Sequence, residues 1–125
     1  MVETEGDVWR AKAIIVAAIN KGKIDPVLKI HEQLVPIDEA IMDGEVTTLM
    51  LVAGKGSASD IAKLMRLGPN INQTDKYGRT ALHFACRSGN EETLNELLKA
   101  EDLEYDVFTN AGVTPLMMAV ESHNI

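Results

Sequence analysis

The chain is 125 residues long, 46% hydrophobic and 25% charged, which is the size and balance of one soluble globular domain. A net charge of −7 at pH 7 argues against a nucleic-acid binder, which needs a basic footprint, and favours partners with basic or neutral surfaces. Aromatics make up only 4%, so the core must be built from Ala, Val, Ile, Leu and Met, a composition suited to closely packed helices rather than a sandwich of strands.

The opening segment 1–7 is acidic and lacks the basic n-region of a secretory signal. A first helix is predicted over 8–20. Its apolar run 13–19 ends at Asn20-Lys21-Gly22-Lys23, with no small-residue cleavage site, and is too short for a membrane span of about 20 apolar residues. A second helix is predicted over 26–33, followed by pairs over 47–55 and 58–67 and over 80–88 and 91–99, with a lone helix from about 114. Val27 and Ile30, Ile61 and Leu64, and Leu94 and Leu97 set an i, i+3 rhythm, widened by Met65 and Leu98, for the second helix of each pair. Thr80 and Thr114 stand where an N-cap is needed, and Pro115 suits a first helical position. Gly56 and Gly89 fall where left-handed backbone ends a helix. Residues 57–60 read as a capping box with Asp60 in place of Glu. Asn90, Glu91 and Glu92 set a cap and two anions at the positive end of the last second helix.

These elements repeat. TTLMLVAGKG (47–56), TALHFACRSG (80–89) and TPLMMAVESH (114–123) align at steps of 33 and 34 residues. Leu49, Leu82 and Leu116 coincide, as do Leu51, Phe84 and Met118, and Val52, Ala85 and Ala119. A fainter copy upstream places Ile15, Ala17, Ala18 and Gly22 34 residues before Leu49, Leu51, Val52 and Gly56. Ile37-Asp38, Ile71-Asn72 and Tyr105-Asp106 recur at 34 as well, each at a turn. Helix, turn, helix and extended loop at this period is the layout of a helical solenoid.

Thr80-Ala81-Leu82-His83-Phe84-Ala85, with Gly78 before and Gly89 after, and Gly112-Val113-Thr114-Pro115-Leu116 resemble the ankyrin signature, in which a hairpin glycine precedes T-P-L-H-x-A. Residues 67–72 are similar to the loop that closes such a repeat. The resemblance covers roughly 41–125 and implies an all-α, ankyrin-repeat helical solenoid with short β-hairpin loops. It implies a degenerate N-terminal capping repeat over 8–40, repeats over 41–74 and 75–108, and an incomplete repeat over 109–125. The loop after Lys99 departs from the pattern: it is one residue longer and carries Glu101-Asp102-Leu103 in place of Gly-Ala-Asp. The last unit stops at Ile125 without a second helix, so the chain is expected to be a piece of a longer protein. Leu116, Met117, Met118 and Val120 are then short of cover, and the end is expected to self-associate as a homo-oligomer or to fray beyond Gly112.

His31, His83 and His123 lie in three different repeats without metal-ligand spacing, and a single Cys86 cannot form an internal disulfide. By resemblance, His83 hydrogen-bonds between adjacent hairpin loops and Cys86 fills a buried alanine slot. Gly54-Lys55-Gly56-Ser57 lacks the upstream glycine and preceding strand of a phosphate loop, and Asn72-Gln73-Thr74 is a sequon that stays bare without a secretory route. Glu91, Glu92, Glu96, Glu101, Asp102 and Glu104 read as a solvated outer face. No catalytic residue, metal or cofactor is expected, and the expected compartment is cytosol or nucleus.

In the family that these motifs resemble, partners meet the hairpin tips and the exposed side of the first helix. Those slots here hold Lys76, Tyr77 and Arg79 on one tip and Arg87 and Ser88 at the end of its helix. Val46, Gly54 and Lys55 flank them on one side, and Asn110, Ala111, Val113, Glu121 and Ser122 on the other. Lys55, Lys76, Arg79 and Arg87 are expected to make this groove positive in an acidic chain, with Tyr77 as an aromatic anchor. The expected partner is another protein, presenting an acidic segment, and neither nucleic acid nor membrane. The second reading is a regulatory segment of a larger enzyme or channel that docks intramolecularly.

Overall fold

The computed structural model of the chain describes residues 5–55 and 57–121. The expectations for Gly56, Ser122, His123 and the side chain of Glu121 fall outside these. The described residues form seven helices: α1 (Glu5–Asn20), α2 (Asp25–Gln33), α3 (Thr48–Lys55), α4 (Ala58–Met65), α5 (Ala81–Ser88), α6 (Glu91–Leu98) and α7 (Pro115–Glu121). Their bounds follow the predicted ones, except that α1 begins earlier and α4 ends sooner. Among the described residues the one β feature is an isolated bridge between Met42 and Val46.

Local side-chain chemistry starts α3, α4, α5, α6 and α7, and a glycine stops α5. The Thr80 hydroxyl accepts from the His83 N–H at 3.4 Å, while the Thr80 N–H donates to His83 Nδ1 at 3.0 Å, so a histidine closes the capping box in place of the usual glutamate. One repeat earlier the Thr47 N–H donates to Met50 Sδ at 3.4 Å, a softer version of the same contact. Thr114 accepts from Met117 N–H at 3.2 Å, Ser57 from Asp60 N–H at 3.3 Å and Asn90 from Thr93 N–H at 3.0 Å. Gly89 ends α5 with φ 74°, a left-handed conformation that a β-carbon would strain.

The first helices α1, α3, α5 and α7 stack in a row, and α4 packs on α6 behind them. Ile15, Leu49, Val52, Ile61, Leu64, Leu82 and Leu97 fill the space between the layers, and Ala18 and Ala85 let the helices approach closely. Two seams stitch the repeats along their edges. On one, Lys76 N–H donates to the Gly44 carbonyl at 2.8 Å and Asn110 N–H to the Tyr77 carbonyl at 2.8 Å, so each hairpin tip hangs on the one before. On the other, Asp38 accepts from Asn70 N–H at 2.8 Å, and the Asn72 amide donates to the Asp102 carbonyl at 2.7 Å. The recurring turn residues Asp38 and Asn72 are therefore ties between successive loops.

Candidate partner-binding surface

The tips and first helices carry two depressions side by side. The first, of about 320 Å³, lies between the C-terminal halves of α3 and α5 and is lined by Leu51, Gly54, Lys55, Phe84, Arg87 and Ser88. The second, of about 260 Å³, lies between the tips before α5 and α7 and is lined by Tyr77, Arg79, Thr109, Asn110, Ala111, Val113 and Met118. Leu51, Phe84 and Met118 fill the same slot of successive repeats and are all half-buried, so they form an apolar stripe along both.

Arg79 joins the two depressions. Its guanidinium lies 4.8 Å from the centre of the Phe84 ring and 5.2 Å from that of Tyr77. Its Nε donates to Asp75 Oδ2 at 2.7 Å, and the Asp75 side chain is 0% exposed. The other Asp75 oxygen accepts from the Tyr77 and Arg79 N–H groups, both at 2.9 Å. Arg79 thus fixes the tip, and its charge is matched there by that of Asp75.

The remaining predicted residues divide in the same way. Lys55 and Arg87 stand together at the first depression, where Lys55 Nζ also reaches Asn20 Oδ1 at 2.8 Å. Ser88 lines that depression, and its hydroxyl donates to the Ala85 carbonyl at 2.9 Å. Asn110 donates to the Lys76 carbonyl at 3.0 Å, so it both lines the second depression and ties two tips. Lys76 is exposed on its tip and lines neither depression, and Val46 is buried beneath the first tip. Leu51, Phe84 and Asp75 belong to the site although sequence reasoning did not place them there. The one signal for Phe84 was an aromatic ring in a slot that is otherwise aliphatic.

The two described histidines are structural ties. His83 is fully buried, and its Nε2 donates to the Val113 carbonyl at 3.0 Å, linking one repeat to the next tip. That bond leaves Nδ1 as the acceptor in the capping box. His31 Nδ1 donates to the Val35 carbonyl at 2.9 Å, and its Nε2 accepts the Thr48 hydroxyl at 2.6 Å, joining α2 to α3. Burial holds both imidazoles below their ordinary pKa, against the opposing pull of the carbonyls they face. Cys86 is buried, and burial pushes its thiol up. Among the described residues no three His, Cys, Asp or Glu side chains cluster to hold a metal ion, and no helix is long and apolar enough to cross a membrane.

Comparison with known proteins agrees with this architecture. The family described as ankyrin repeats (3 copies) matches residues 49–125. The chain is 36% identical over 88 residues to an ankyrin repeat protein of Acanthamoeba polyphaga mimivirus, covering 66% of the chain and 12% of that protein. It is 48% identical over 59 residues to Inversin-B of Xenopus laevis, covering 46% of the chain and 6% of that protein. It is also 30% identical over 96 residues to human Rabankyrin-5, covering 68% of the chain and 8% of that protein. The chain therefore spans about an eighth or less of the length of these relatives. With the family match running over more than half of its length, on the same helix pairs and hairpin tips that the structure displays, the chain belongs to the ankyrin repeat family.

Proposed function

We propose that the chain binds a partner protein in the cytosol or nucleus, through the face built by α3, α5 and the tips before α5 and α7. Ankyrin repeats are generally protein-interaction modules. The observation that carries the reading here is the apolar floor of Leu51 and Phe84 with Lys55 and Arg87 beside it. Such a site takes an extended acidic segment that seats one aliphatic or aromatic side chain on the floor and sets a carboxylate by the two cations. Burying that side chain supplies about 1.5–3 kcal/mol, while the exposed cations add less affinity and more orientation and on-rate. Tyr77 and Val113, at the second depression, receive the next part of the segment. On this reading the chain acts by binding and not by catalysis.

A display selection of random peptides on the intact chain tests the proposal. Enriched peptides are expected to be acidic with a conserved apolar position, and to bind more weakly as salt rises. The double reversal Lys55→Glu/Arg87→Glu is expected to weaken them at least about tenfold, which is 1.4 kcal/mol. Basic or neutral peptides that bind the reversed variant equally well would sink the proposal.

A further inference from the structure

The cations of the groove continue onto the first repeat. Lys21, Lys55 and Ser88 fill one slot of successive repeats, with Arg87 just before Ser88, so α1, α3 and α5 each end at a cation. Lys55 Nζ donates to Asn20 Oδ1 at 2.8 Å, which sets the end of α1 beside the first depression, and Lys21 N–H donates to the Ala17 carbonyl at 3.1 Å. All three cations are exposed. Lys55 and Arg87 are so although first helices stack on both sides of α3 and α5, so this exposure belongs to the slot and not to where the chain starts. One helical turn before each cation stands Ala17, Leu51 or Phe84, which makes an apolar row alongside. The acids nearest in sequence, Asp25, Asp60, Glu91 and Glu92, belong to the second helices, and Asp25 lies 3.9 Å from Lys63. Glu5 and Asp7 lie at the other end of α1, about 20 Å or more away at about 1.5 Å per residue, and Asp43 and Glu45 stand on the tip before α3.

We propose that the partner segment bound on this face is a left-handed polyproline-type helix with an acid at every third position. The proposal rests on the α3–α5 groove reading above and names which acidic segment fits it. Packed helices stand about 8–10 Å apart, so the cations and the apolar residues recur at about that interval. A polyproline-type helix advances about 3.1 Å per residue and turns once in three residues, so the same side returns about every 9 Å. A β-strand returns its side chains about every 6.6 Å and loses register within one repeat. It would also find nothing to pair with, because the floor is helical and its backbone groups bond within each helix, whereas polyproline-type backbone is content with water. One side of the segment carries Asp or Glu over Lys21, Lys55 and Arg87. The next side carries apolar side chains over Ala17, Leu51 and Phe84, and the third faces water.

Fluorescence-anisotropy titrations of labelled nonapeptides on the intact chain test the proposal. Three peptides share one composition, with three acids and three leucines, and set the acids two, three or four residues apart. The three-residue spacing is expected to bind at least about fivefold tighter than the other two, through the ion pairs and apolar contacts that they miss. Lys21→Glu is expected to weaken that peptide at least about threefold. It is expected to matter much less to a hexapeptide with two acids, which Lys55 and Arg87 suffice to hold. Lys21 is exposed, and thermal melting checks that the variant keeps its fold. Peptides that bind and lose affinity in Lys55→Glu/Arg87→Glu, yet show no preference for spacing or no response to Lys21→Glu, would overturn the proposal and leave the groove reading standing. Failure of every spacing to bind would overturn both.

Discussion

At the residue scale, two buried histidines tie neighbouring repeats and a buried aspartate holds one hairpin tip, and each carries a measurable consequence. His31 and His83 are neutral in the folded chain because burial lowers their pKa, while in the unfolded chain an imidazole titrates near about 6.5. Below that value the unfolded state binds more protons, so the stability they contribute is present above about pH 6.5 and is lost as pH falls through their folded pKa. Thermal melts are therefore expected to shift downward between about pH 7.5 and 5.5, with a shallower slope in the His31→Gln variant. A flat profile, or an unchanged slope in the variant, would contradict this account. Asp75 is the third group: fully buried, it relies on Arg79 for its charge-assisted partner. Arg79→Ala leaves its two backbone donors but removes the guanidinium, and is expected to cost roughly 1–3 kcal/mol in urea unfolding. Arg79 is accordingly a poor site for charge reversal, since a loss of binding there would mix with a loss of the tip.

At the element scale, the hairpin tips and the groove respond to glycine in opposite ways. Gly78 and Gly68 both have positive φ, 79° and 71°, so alanine strains either by roughly 1–2 kcal/mol. At Gly78 the added carbon would also lie 2.7 Å from Asn110 Oδ1 and 3.0 Å from its backbone nitrogen, whereas nothing lies within 4 Å at Gly68. Urea unfolding is expected to show Gly78→Ala clearly more destabilised than Gly68→Ala, and equal losses would mean the tip-to-tip seam matters little. Gly54 is different, because a β-carbon there meets Phe84 at 3.7 Å, an ordinary contact. Gly54→Leu should keep the fold and fill the first depression, and retained peptide binding would show that the segment sits elsewhere. The helices were legible in the sequence because their signals are local: Thr80, Asn90 and Ser57 cap where they stand, and the apolar period is short. The groove was legible in part. Lys55, Arg87 and Ser88 follow from repeat register, but Phe84 reads as core until its half-exposure is seen. The tie between His31 and Thr48, 17 residues apart, lies in a repeat too degenerate to announce it.

At the scale of the whole molecule, a solenoid is held by nearest neighbours, and the described ends have fewer of them. α5 lies between α3 and α7 and backs onto α6, whereas α7 packs on α5 with its outward face exposed. Hydrogen exchange at dilute concentration is therefore expected to be slowest in α3 and α5 and fastest in α7, and equal protection of α7 and α5 would count against nearest-neighbour stabilisation. The same one-dimensional design leaves one long face for recognition, and the central claim is that α3 and α5 receive an acidic segment there. Amide-shift mapping by NMR, with the tightest acidic peptide from a display selection as the probe, tests that most directly. The largest shifts are predicted at Leu51, Gly54, Phe84, Arg87 and Tyr77. Shifts centred instead on α2, α4 and α6, with the α3–α5 groove silent, would contradict it.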